Sequence, residues 1–205
     1  MASRPSIDFS KLQCFPEIES SNKKIITKSF LESASQVIDS IETFGMIFKP
    51  IVKDMRGNVK RLEGKYRINE QAFYYLEDMI LYDEDGNRNS FDSFTEGLLW
   101  LKRALEMIEM FFRNVLDDTS CSDSLKQHLR KAYDNTLLPY HGFLAQKGFQ
   151  ILHHYVPSRT ALLGSKEPFL DNVNALKVFL ISFKANIDHL NTFFESNNFN
   201  RTYKV

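Results

Sequence analysis

Between Ser90 and Leu116 the chain carries two apolar stripes at helical spacing, and no other stretch restricts the fold as tightly. One stripe is Leu98, Leu101, Leu105, Ile108, Phe112 and Val115; its neighbour is Trp100, Ala104, Met107 and Phe111. With successive residues turned by about 100°, the two together cover roughly half the circumference of a helix. A helix apolar over that width touches more than one neighbour and belongs inside a layered bundle. The same three-and-four spacing returns from Val173 through Leu176, Leu180, Phe183, Ile187 and Leu190 to Phe194. Further helices are expected at about 27–44, 47–66, 70–82, 123–137 and 140–156, with a short one near 158–163. Asp85-Gly86-Asn87, the Asp117–Ser122 cluster and Gly164-Ser165 ahead of Pro168 read as turns. Pro139 suits a helix that begins at Tyr140. Strand alternation is nearly absent, and there is no repeat, linker or shift in composition. Residues 1–205 therefore read as one all-α domain of about seven or eight helices, led by an irregular and potentially mobile stretch, residues 1–22.

Composition narrows the function classes. Hydrophobic residues at 43% and charged residues at 25% are ordinary globular chemistry. Aromatic content is 13%, with 18 Phe against one Trp, which fits either a large core or a ring-lined cavity for an apolar ligand. A formal net charge of zero gives no global field to attract nucleic acid, so no nucleic-acid partner is expected. Cys14 and Cys121 stand far apart without a CxxC pattern, which argues against a disulfide framework or zinc site and for a reducing compartment. No apolar run approaches the roughly 20 residues of a membrane span, and Met-Ala-Ser-Arg-Pro lacks the apolar stretch of a signal peptide. A cytosolic protein is expected, in which the sequon Asn200-Arg201-Thr202 is accidental.

The polar residues offer one constellation. Asp54, Asn58 and Arg61 stand at i, i+4 and i+7, a single helix face. A carboxylate accepts hydrogen bonds, an amide accepts and donates, and a guanidinium donates, so the trio can satisfy several hydroxyls of one polyol. The same spacing also describes a solvated face with an Asp–Arg contact, and spacing does not choose between them. Gly57, within that helix, either permits close approach of a neighbour or a ligand, or serves nothing. Trp100 is either core or, with one face open, a platform for the C–H face of a sugar. Lys102 falls on the polar side of its helix, and Arg103 falls nearer the Trp100 stripe, placed to pair with a carboxylate. His128, His153, His154 and His189 have no partner spacing that specifies a metal or a relay; His141, after Pro139-Tyr140, merits attention. No Ser-His-Asp pattern, P-loop or GxGxxG is present, so no catalysis is expected.

Several pieces recur in a fixed order: Asp54-Met-Arg-Gly-Asn58, then Trp100-Leu-Lys-Arg103 on the long helix, then Tyr140-His141-Gly142 with Gln146-Lys147 and Phe149-Gln150, and lastly Tyr203-Lys204-Val205. With these separations and an all-helical pattern, the chain resembles the glycolipid transfer protein family over essentially its whole length. The resemblance implies an eight-helix, two-layer bundle with lipid tails between the layers, and neither catalysis, metal nor cofactor. It implies that Asp54 bonds the ceramide amide nitrogen and first-sugar hydroxyls, that Asn58 bonds the sugar, and that Trp100 stacks on it. Arg61 stands where the family usually has a lysine that contacts the sugar. His141 is matched to the group that bonds the ceramide carbonyl, and Tyr203 and Val205 to a C-terminal contact at the same site. Phe48, Ile51, Met107, Phe111 and Phe149 fall at or near tail-lining positions.

The implied protein is a monomer that carries one glycosphingolipid between membranes through transient contact with their surfaces. Three departures qualify it. Phe143 replaces a Trp associated with membrane docking, and Glu96 stands where an apolar residue is expected. The segment Ile38–Phe44 lacks a paired-Phe motif through which some members reach a protein of the endoplasmic reticulum membrane, so that partner is not expected. Ceramide-1-phosphate transfer is a rival function, kept open by Arg61 and Arg103. Lipid sensing without transfer, and a ligand-free helical interaction module, are others; the module requires a wholly buried Trp100 and no cavity between the layers.

Overall fold

The doubly striped segment forms one helix, and the rest of the chain is arranged about it. The computed structural model describes residues 6–82, 91–165 and 167–204; the turn expected at Asp85–Asn87 lies outside them. The helices are α1 (Thr27–Glu42), α2 (Lys49–Ile68), α3 (Leu76–Leu81), α4 (Ser93–Asp117), α5 (Lys126–Asn135), α6 (Phe143–Leu152), α7 (Arg159–Leu163) and α8 (Glu167–Ser196). Short 3₁₀ turns cover Phe9–Lys11, Met46–Phe48, Leu138–Tyr140 and His153–Tyr155. No strand occurs among the described residues, only an isolated bridge between Ile26 and Tyr75. Helix α4 is central: α2, α5 and α8 pack against it, and α1 covers α2.

Local chemistry sets the ends. Asp92 Oδ1 accepts from the backbone N–H of Phe94 (3.0 Å) and Thr95 (2.7 Å), which starts α4 at Ser93. Both α4 stripes turn inward: Leu98, Leu101, Leu105, Ile108, Phe112 and Val115 are buried, as are Met107 and Phe111, while Trp100 and Ala104 are half-buried. Pro50 sits in the first turn of α2, where its missing N–H leaves no bond unmade.

Three expectations change. The helix expected over 70–82 begins only at Leu76, because Asn69 Oδ1 holds Ala72 N (3.0 Å) and Thr27 Oγ1 holds Phe73 O (2.7 Å). Pro139 lies inside a 3₁₀ turn, so α6 begins at Phe143 rather than Tyr140. From Ser6 onward the leading stretch is irregular but fastened. Ile7, Phe9 and Phe15 are buried, and the Phe15 ring stacks on Phe183 at 4.5 Å. Asn172 accepts from Phe9 N and donates to Ile7 O, each at 2.8 Å, so α8 holds this segment by its backbone.

Candidate functional site

Helices α2 and α4 meet closely where Gly97 faces Asn58 and Arg61. A Cβ added to Gly97 would lie 3.4 Å from Arg61 Cδ and Nη1 and 3.6 Å from Asn58 Oδ1. The glycine therefore keeps open the seam that holds these polar groups. Gly57, which the sequence offered for close approach, faces open space: an added Cβ meets nothing within 4 Å.

The expected trio lies along this seam. Asn58 is buried against α4, whereas Asp54 and Arg61 are exposed. Arg61 Nη1 donates to the Ser93 carbonyl at 3.3 Å, which draws the guanidinium toward the start of α4. Asp54 remains open to water, yet protein crowds enough of its surroundings to displace part of its hydration. That burial pushes its carboxyl above the usual carboxylate range, against the opposing pull of Arg61.

One turn beyond Gly97, Trp100 is half-buried between two rings. His141 lies nearly parallel to it, with centroids 6.3 Å apart and planes 24° apart. Tyr203 meets it edge-on at 6.2 Å. The Tyr203 hydroxyl donates to Glu96, so the carboxylate that departs from the family pattern has a partner in the C-terminal segment. Val205 lies outside the described residues.

His141 is placed by Gln146, one of the motif residues, and by Tyr133, which the sequence did not single out. Gln146 Nε2 donates to the His141 carbonyl at 2.8 Å, and the Tyr133 hydroxyl lies 3.1 Å from His141 Nδ1. Burial pushes the Tyr133 phenol up to about 12, so it stays protonated and acts as the donor. Accepting at Nδ1 leaves the proton of the neutral imidazole on Nε2. Burial first, and then the Arg103 cation, hold the His141 pKa below its ordinary value and favour that neutral form.

Two cations differ from expectation. Lys102 is not on a polar face: it is 3% exposed, bonds Asn191 and lies over the Phe194 ring, because α8 covers that side of α4. Among the described residues, Arg103 pairs with no carboxylate. It is 1% exposed and donates to Asn200 Oδ1 (3.2 Å) and to the Arg201 carbonyl. Its guanidinium also lies 3.5 Å from the Tyr140 ring centroid and 5.0 Å from that of Trp100. The signal for Arg103 was its place beside the Trp100 stripe; Tyr133 left none, since its partner is eight residues away across a turn.

Of the expected tail-lining residues, Phe48, Met107, Phe111 and Phe149 are buried and Ile51 is half-buried, all within the packed interior. Two open surface clefts, of about 490 and 450 Å³, contain none of the candidate residues. Phe143 (71% exposed) and its neighbour Leu144 (84%) project from the start of α6, and Met46 (72%) from the turn before α2.

Residues 25–167 match the family model of the glycolipid transfer proteins. The chain belongs to the glycolipid transfer protein family. This is a family of lipid transfer proteins rather than enzymes. The glycolipid transfer protein of Danio rerio is 27% identical over 195 residues, covering 90% of this chain and 93% of that one. Glycolipid transfer protein B of Xenopus laevis is 30% identical over 196 residues, with the same coverage.

Solved structures give the family fold. A GLTP-fold protein that selects simple glycosphingolipids superposes with a TM-score of 0.81, at 23% identity over 98% of this chain and 97% of that one. Mouse ceramide-1-phosphate transfer protein gives 0.80, at 17% identity over 96% of this chain and 100% of that one. The family fold thus accommodates both lipid classes, and overall similarity does not distinguish them. As a member of this family the chain has no described helix long and apolar enough to cross a membrane.

Proposed function

We propose that this protein binds one glycosphingolipid and moves it between membranes, with the sugar and amide at the α2–α4 seam and the tails in the interior. The observation that carries the reading is the half-buried Trp100, the sole tryptophan, set between His141 and Tyr203 and one turn from the Asn58–Arg61 seam. A ligand-free module would have buried it.

The roles follow from donor and acceptor capacity. Ionised Asp54 accepts from the ceramide amide N–H and from sugar hydroxyls, and Asn58 and Arg61 supply further polar contacts. Trp100 supports the apolar face of the sugar. His141, neutral and carrying its proton on Nε2, donates to the amide carbonyl. Exposing an 18-carbon tail to water costs about 14 kcal/mol at roughly 0.8 kcal/mol per CH₂. Tails therefore supply affinity, and the polar groups supply identity, because the wrong headgroup leaves them unpaired. Side chains around Phe149, Phe111 and Phe48 are packed, so the tails must part them on entry. Phe143 and Leu144, adjacent and exposed at the start of α6, are suited to transient contact with a bilayer.

A phosphate headgroup is the rival reading. It needs several cations free to converge, yet Arg103 is buried and bonded to the C-terminal segment and so does not join Arg61. This favours a sugar. Transfer between vesicles of labelled galactosylceramide and labelled ceramide-1-phosphate tests the choice. Faster movement of galactosylceramide is expected, and preferential movement of the phosphate lipid overturns it.

A further inference from the structure

Arg103 is the least expected group in the molecule. A guanidinium 1% exposed ordinarily has a carboxylate beside it, since an unpaired charge is costly to remove from water. Among the described residues, two oxygens of the C-terminal segment accept from Nη2 alone, while Nε and Nη1 are buried without a hydrogen-bond partner. Tyr140 covers the guanidinium at 3.5 Å, and Trp100 lies at 5.0 Å. An apolar side chain there would avoid the desolvation and leave no donor unmatched. Stability of the bundle does not account for the cation.

What the cation touches does. Asn200 and Arg201 lie just ahead of Tyr203, which meets Trp100 and Glu96. Tyr140 immediately precedes His141, and Trp100 lies one turn before Arg103 on α4. We propose that Arg103 is the positioning residue of the headgroup site, fastening the C-terminal segment and the turn bearing His141 to the helix bearing Trp100. Its charge has a second effect. The imidazole of His141 faces Tyr133 from α5 and both Trp100 and Arg103 from α4, and the Arg103 cation opposes a second proton on it. One side chain thus sets where Tyr203 and His141 stand and adds to the burial that favours neutral His141.

The importance of that geometry rests on the glycosphingolipid reading, but the fastening itself needs no lipid and is tested in the lipid-free protein. Hydrogen exchange of residues 197–204 reports the segment, whose backbone bonds include Phe199 N to Phe194 O at 2.9 Å and Arg201 N to Phe199 O at 2.8 Å. An NMR titration of His141 reports the charge. In Arg103→Met, protection of the segment is expected to fall about tenfold, the effect of losing a charge-assisted hydrogen bond. The His141 pKa is expected to rise.

Arg103→Lys separates the two effects: it keeps the charge but loses the planar fork. The segment should loosen while the His141 titration stays near that of the unaltered protein. A folded Arg103→Met protein with both readouts unchanged overturns the proposal. Should that variant not fold, Arg103→Lys and Asn200→Ala decide, and undiminished protection in both overturns it. If the unaltered protein moves no galactosylceramide while these shifts appear, the functional reading fails and the fastening stands.

Discussion

Replacing Tyr133 by Phe removes one oxygen from the centre of the proposed mechanism and little else. The Tyr133 ring lies 3.6 Å from that of Phe149 with the planes 7° apart, a stack that Phe reproduces. What is lost is the hydroxyl donating across 3.1 Å to His141 Nδ1. A neutral hydrogen bond of this kind is worth about 0.5–1.5 kcal/mol net. His141 is half-buried, so water recovers part of the loss, and destabilisation near 1 kcal/mol is expected. Function should suffer comparably. Without a donor at Nδ1 the imidazole divides between tautomers, and the form with its proton on Nδ1 presents an acceptor to the lipid carbonyl. Transfer of galactosylceramide should fall about fivefold, on the order of 1 kcal/mol. Two measurements check this: vesicle transfer, and the ¹⁵N shifts of the His141 ring, which report the tautomer. A Tyr133→Phe protein with transfer unchanged and the proton still confined to Nε2 refutes the reasoning.

Trp100→Ala and Asp54→Val should each abolish glycolipid transfer while far-UV circular dichroism stays helical; retained transfer in both contradicts the proposed site. The two glycines should separate stability from function. Gly57→Ala meets nothing and should stabilise by up to about 1 kcal/mol in urea titration with transfer unaltered. Gly97→Ala should slow transfer, because its methyl fills the seam to contact distance of Arg61 and Asn58 and takes space from a headgroup there; equal transfer in the two variants counts against the seam. For pH, Asp54 has a raised carboxyl pKa in the folded protein, and the lipid's donors favour its charged form. Galactosylceramide affinity should therefore weaken as pH falls through that raised value. On its own Asp54 makes the lipid-free fold less stable as pH rises through the window between the ordinary and raised values, because the folded state then binds more protons. Binding by isothermal calorimetry from neutral to acidic pH should lose this dependence in Asp54→Asn.

Much of the fold was legible because burial leaves a periodic trace. The twin stripes of α4 and the run from Leu176 to Phe194 pointed inward as read, and the order of Asp54, Asn58, Trp100 and His141 was enough to suggest the family. What stayed hidden depends on partners remote in sequence. Nothing local shows that Asn172 would hold Ile7 and Phe9 and so fasten an irregular leading segment. Lys102 looked solvated because the chemistry of a lysine suggests water, and only the crossing of α8 at Asn191 and Phe194 buries it. The glycine at the seam was misplaced for the same reason. Gly57 and Gly97 both sit within helices, and only the packing of α2 on α4 tells which one faces a neighbour.

Tyr133 also bears on how head and tails can be read together. Its ring lies on Phe149, expected along the path of the tails, and its hydroxyl holds His141, expected at the amide. A tail that displaces Phe149 must move or unstack Tyr133, and any shift of the phenol is felt at once as a change in the hydrogen bond to the imidazole. On the proposed reading, the two halves of the lipid would then not be sensed independently. A ligand with a suitable headgroup but no tail leaves Phe149 against Tyr133, and an apolar molecule without an amide moves Phe149 yet gives Nε2 nothing to bond. Only a lipid that does both repacks the wall and satisfies the imidazole together. On the proposed reading, this would give the carrier a physical basis for favouring a tailed lipid that also brings a carbonyl to His141, beyond the apolar area that any lipid would bury.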